Sequence, residues 1–147
     1  MQRERLLQML KEQLQHEEYE TEVYATKVRE TDHSVVKLIY AKLMRDAIHH
    51  ADVLTSAITY LTNREWTTAP PVRESRDELL RLMDVEEKAL RLFTSAAADV
   101  NDQHLKSLLT MLAMDEEQHY AMLRYVLENF VRNKKATPDK KYLKVVE

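Results

Sequence analysis

Apolar residues recur along this chain at alternating spacings of three and four, the period of helices that each bury one stripe. Four such segments are expected. In residues 3–30 the line reads Leu7, Leu10, Leu14, Glu17, Thr21, Tyr24, Val28. In residues 34–61 it reads Val36, Ile39, Leu43, Asp46, His49 or His50, Val53, Ala57, Tyr60. Residues 73–100 give Leu79, Met83, Glu86, Leu90, Phe93, Ala97, Val100, and residues 101–133 give Leu105, Leu109, Leu112, Glu116, His119, Leu123, Val126, Phe130.

The breaks between these segments are short, with one exception. Residues 31–34, Thr-Asp-His-Ser, suit the cap of a second helix better than a long loop. Residues 62–72 hold Trp66 and Pro70-Pro71, and proline cannot continue a helix. Ser75 with Glu78 three residues on forms a capping-box pattern near the start of the third helix, and Asn101-Asp102 opens the fourth. Composition supports this division. The 147 residues include no glycine and no cysteine, where an average soluble domain would carry roughly 7% glycine. Primed hairpin turns, phosphate-cradling loops and left-handed helix caps lean on glycine, so sandwiches, dinucleotide folds and P-loop enzymes are excluded. Absent cysteines exclude disulfide frameworks, zinc fingers, iron–sulfur clusters and cysteine nucleophiles. An all-α protein remains, large enough to bury a core.

Each seam is interrupted by one carboxylate, and the positions are informative. The expected helix midpoints fall near residues 16, 47, 86 and 117, against acids at Glu17, Asp46, Glu86 and Glu116. Helices packed side by side would bring all four acids within a few ångströms of one level, at ~1.5 Å of rise per residue. Histidines follow Asp46 and Glu116 by three residues, on the same helix face. Burying four like charges costs several kcal/mol for each ion. No seam places a lysine or arginine at this level to offset them. Two divalent cations would match four carboxylates in charge, and two imidazoles would complete their coordination.

On Glu17, Asp46-x-x-His49, Glu86 and Glu116-x-x-His119, the sequence resembles the ferritin-like superfamily, and within it the rubrerythrin-like di-iron carboxylate bundles. The resemblance covers residues 3–133, and the two halves repeat at an offset of about 70 residues, each with an aromatic seven residues after its lone acid, Tyr24 and Phe93. It implies a ferritin-like four-helix bundle over 1–133, with a crossover between the second and third helices. It also implies two iron ions, or manganese or a mixed pair, held by Glu17, Asp46, His49, Glu86, Glu116 and His119. The activity implied is oxidation of Fe²⁺ by O₂ or peroxide, of ferroxidase or peroxidase type. A metal carrier or sensor without turnover, and a structural or adaptor bundle that has lost its metal, are the alternatives. Three departures stand out: Asp46 replaces the usual glutamate, Ala89 stands where rubrerythrins typically offer a further glutamate, and no cysteine-bound rubredoxin domain is present. His50 lies nearer the strict seam than His49 and competes with it as a ligand.

The crossover also bears on assembly. A break of about 11 residues reaches ~39 Å, against ~42 Å for a 28-residue helix. A homodimer or higher homo-oligomer is therefore expected, with a domain swap of the third and fourth helices as one route. The formal charge of −3 gives no broad attraction to nucleic acid or an anionic membrane, and no apolar run is long enough to span one, so a cytoplasmic protein is expected. Residues 134–147, with five lysines and Pro138, read as a basic solvated tail, a docking segment being the alternative. His16, His33 and His104 fit no constellation and are expected at the surface.

Overall fold

A computed structural model describes residues 2–63, 73 and 75–131; the expected proline-marked break and basic tail lie outside these residues. The described residues form four helices and no strand: α1 (Gln2–Glu30), α2 (Ser34–Thr62), α3 (Arg76–Asp99) and α4 (Gln103–Asn129). The chain divides into two compact units, Met1–Ala69 and Pro70–Glu147, and each holds one helical hairpin. None of the described helices is long and apolar enough to cross a membrane.

The helix ends follow from capping chemistry. At α3, Ser75 Oγ accepts from the Glu78 N–H at 3.1 Å while the Glu78 carboxylate accepts from the Ser75 N–H at 2.8 Å. A capping residue sits outside its helix, so α3 begins at Arg76 rather than at Arg73. That hydrogen bonding also holds the Glu78 carboxyl below the usual carboxylate range. Asp102 caps α4 through the Leu105 N–H at 2.7 Å. At α2 the cap is His33, whose Nδ1 accepts from the Val36 N–H at 3.4 Å; it is exposed, as expected, and lies in the stretch 31–34 read as a cap. The fourth helix stops at Asn129, short of the expected residue 133, and there the Asn129 side-chain amide donates to the Tyr125 carbonyl at 2.8 Å. Among the described residues none has a positive φ: the helices end in extended or right-handed residues, which a chain without glycine can adopt freely.

In the first hairpin α1 and α2 run antiparallel, joined by residues 31–33, and Arg3 donates to the Leu61 carbonyl where the start of one helix meets the end of the other. Ala47, 2% exposed, lets the two backbones approach, and Tyr24 stacks on Tyr40 with ring centroids 6.3 Å apart. In the second hairpin, Leu79 and Met83 of α3 pack with Leu127 of α4, flanked by Tyr120, Leu123, Val126 and Val131. Only part of each expected seam is buried within its hairpin. Leu105 and Leu112 of α4, and Ile39, Leu43 and Val53 of α2, are exposed.

Of the four helices, α1 and α2 have 29 residues each and α3 has 24, and residues 63–75 separate α2 from α3.

Candidate metal centre

The acids lie close to the middle of their own helices, as expected. From the helix bounds, the midpoints are near residues 16, 48, 88 and 116, so each acid is within about two residues of its helix centre. Mid-helix positions are far from frayed ends, which favours a fixed geometry.

In the second hairpin this placement produces a cluster. Glu86 on α3 and Glu116 and His119 on α4 each offer one ligand atom, all within 4.8 Å of one another. His119 Nδ1 lies 3.2 Å from Glu116 Oε2 and 3.6 Å from Glu86 Oε2. Among the described residues this is the one such group of three. Glu86 and Glu116 are half-buried, whereas the His119 side chain is 52% exposed. The Glu116-x-x-His119 spacing brings both residues to one face of α4, and the antiparallel pairing brings Glu86 to meet them.

The two carboxyls are coupled. A hydrogen bond with Glu116 raises the Glu86 carboxyl above the usual range, helped by burial and by the neighbouring charge, while His119 works against the shift. The same hydrogen bond lowers Glu116, assisted by His119 and opposed by burial. The two shifts run in opposite directions, the expected outcome when two carboxyls share one site. As the pair is coupled, its titration belongs to both residues jointly.

A divalent ion with ligand bonds of about 2.0–2.3 Å would hold its donors roughly 3–4.5 Å apart. The cluster needs only a slight contraction to meet this. Two carboxylates and one imidazole, with no thiolate, suit iron, manganese or zinc. The residues fit a metal.

The first hairpin is arranged differently. Glu17 is buried at 8% exposure, and its carboxylate accepts from Gln13 Nε2 at 3.0 Å and meets His50 Nδ1 at 3.3 Å. Thr21 Oγ1 donates to the Glu17 carbonyl at 2.9 Å, the hydroxyl turned onto its own helix. The partner of Glu17 on α2 is therefore His50, not His49, whose ring centroid lies 6.4 Å from that of His50. Asp46 meets Lys42, whose Nζ lies 3.1 and 3.2 Å from the two carboxylate oxygens. This corrects the expectation that no base offsets the acids. The signal was present in the sequence, because Lys42 stands one helical turn before Asp46, the spacing of a helix ion pair. Of the six expected ligands the structure brings together Glu86, Glu116 and His119, and it places Glu17, Asp46 and His49 in separate contacts.

Comparison with protein-family models, with curated proteins and with solved structures returns no match to this chain.

Proposed function

We propose that this protein is a metal–carboxylate protein that binds a divalent cation, Fe²⁺ first among the candidates, on Glu86, Glu116 and His119. The observation carrying the reading is the convergence of those three groups at mid-helix within 4.8 Å. The coupling of Glu86 and Glu116 supports it, because two carboxyls that oppose each other's ionisation gain from a cation placed between them. The full six-residue set of Glu17, Asp46, His49, Glu86, Glu116 and His119, holding two iron ions or a manganese-containing pair, belongs to the same proposal, as does the likeness to rubrerythrin-like bundles.

Bound iron would supply redox chemistry toward O₂ or peroxide. The chain itself does simpler things. Glu86 and Glu116 neutralise the cation, His119 adds a nitrogen donor, and the exposed side of His119 gives solvent access. These 147 residues include no cysteine, so within them electrons would come from the metal or from a donor outside them. That half-exposed histidine also favours a second reading, a carrier that exchanges metal without turnover. A homodimer or larger homo-oligomer in the cytoplasm completes the proposal, and light scattering tests the assembly.

The test is anaerobic Fe²⁺ loading of chelator-stripped protein, followed by metal analysis and then by admission of O₂. One or more metals per chain, lost on Glu116→Ala, is the expected result. Oxygen uptake then marks an oxidase, and its absence a carrier. Metal content well below one per chain would refute both.

A further inference from the structure

Resting on the metal-binding reading above, we propose that Glu86, Glu116 and His119 are half of a site, and that divalent cations join two copies of this chain through the α3–α4 face that carries them. Each helix of the second hairpin has an exposed apolar line, Leu82, Val85 and Leu92 on α3 and Leu105, Leu112 and Met122 on α4. Seven residues are close to two helical turns, so Leu105, Leu112 and His119 follow one another along α4, and Met122 stands one turn beyond the histidine. At roughly 3.6 residues per turn, each line is rotated in the same sense from the buried residues of its helix, Leu79 and Met83 on α3 and Leu127 on α4. In an antiparallel pair that rotation puts both lines on one side of the hairpin, and His119 opens on that side.

Three donors leave positions open on a divalent cation, and the apolar side chains around His119 supply no oxygen or nitrogen to fill them. The acids of the first hairpin are already engaged, Glu17 by Gln13 and His50 and Asp46 by Lys42. A second copy brings the missing carboxylates. Glu86 and Glu116 sit near the middle of their helices, so a twofold axis through the centre of the face sets one group of three against the other. Four carboxylates then match two divalent cations in charge, and the exposed apolar lines are buried around them. Without metal the same face repels its own copy. Two carboxylates on each side give four facing pairs, and at roughly 6 Å in a water-like dielectric each pair weakens association about threefold, together about a hundredfold.

The test is anaerobic size-exclusion chromatography with light scattering on the stripped full-length chain at pH 8, with and without Mn²⁺ or Fe²⁺, joined to electron paramagnetic resonance of the Mn²⁺ form. The chains compared are wild type, Glu116→Ala, Leu92→Glu and Leu92→Met, with helix content checked by circular dichroism. Leu92 is 64% exposed, so its replacement leaves the hairpin core untouched. In wild type, metal should double the mass, tighten self-association about a hundredfold and give the signal of an exchange-coupled Mn²⁺ pair. Glu116→Ala should neither bind metal nor dimerise. Leu92→Glu should stay monomeric and hold metal at least about tenfold more weakly, and Leu92→Met should restore both properties. Metal held by a wild-type chain that stays monomeric, self-association equally strong with and without metal, or a Leu92→Glu chain that dimerises like wild type would overturn the inference while leaving the metal-binding reading intact. Absence of any binding would overturn both.

Discussion

Replacing Glu86 by glutamine should stabilise the metal-free protein at alkaline pH while abolishing its metal affinity. In the folded protein the Glu86 carboxyl is raised, mainly by its hydrogen bond with Glu116. Its contribution to stability is therefore present below its ordinary pKa and is lost as pH rises through the raised folded value. Glu116 is lowered, so its contribution is present above the ordinary carboxylate pKa and is lost as pH falls through the folded value. Above both values two carboxylates face each other with ligand atoms no more than 4.8 Å apart. Coulomb's law puts that repulsion at ~0.9 kcal/mol in a water-like medium and ~3.5 kcal/mol at a dielectric of 20. The side chains are 24% and 18% exposed, so about 1–2 kcal/mol is the working figure, a Tm rise of a few degrees for a chain of this size. Glutamine keeps the shape and can still donate to Glu116, so the hydrogen bond survives while the charge does not. Thermal unfolding followed by circular dichroism, with chelator, at pH 8 and pH 5 reads the effect. The gain should be present at pH 8 and shrink toward pH 5, as protonation of the raised Glu86 carboxyl relieves the repulsion in wild type. Glu87→Gln, at a carboxylate paired 2.7 Å from Arg91, should show no gain. A gain for Glu86→Gln that did not change with pH, or a loss at pH 8, would refute the coupling of the two carboxyls.

Three further outcomes follow from the geometry. Ser75→Ala removes the acceptor of the Glu78 N–H and should cost about 1 kcal/mol, measured as a shift in the urea midpoint. Leu79→Ala, at a side chain 2% exposed against Met83 and Leu127, should cost about 2–5 kcal/mol by the same measurement. Metal affinity should fall as pH is lowered, because the Glu86 carboxyl is raised and protons compete with the cation for it, and titrations in buffers of different ionisation heat should show proton release on binding.

The sequence and the structure agree where a local rule was sufficient. Helix existence followed from the three-and-four spacing, and the Glu116-x-x-His119 pair followed from helix geometry alone. The meeting of Glu86 with that pair was legible because antiparallel helices of similar length, each with an acid at its centre, align those centres. Disagreements arose where several chemistries compete for one side chain. Asp46 could serve a metal or a lysine one turn away, and without bound metal the lysine holds it. Glu17 could face His49 or His50, and the strict seam position, His50, meets it. His33 carries no propensity signal for capping, so its role at α2 depended on the fold of the turn. Helix α4 ends at Asn129 with Phe130 as its cap, a boundary that hydrophobic spacing does not register.

The most direct test of the central claim is anomalous diffraction at the iron edge from crystals loaded anaerobically with Fe²⁺. The predicted result is a peak within bonding distance of Glu86, Glu116 and His119, absent from crystals of Glu116→Ala. A clean map with no peak at those three side chains, from crystals grown in saturating Fe²⁺, would contradict it.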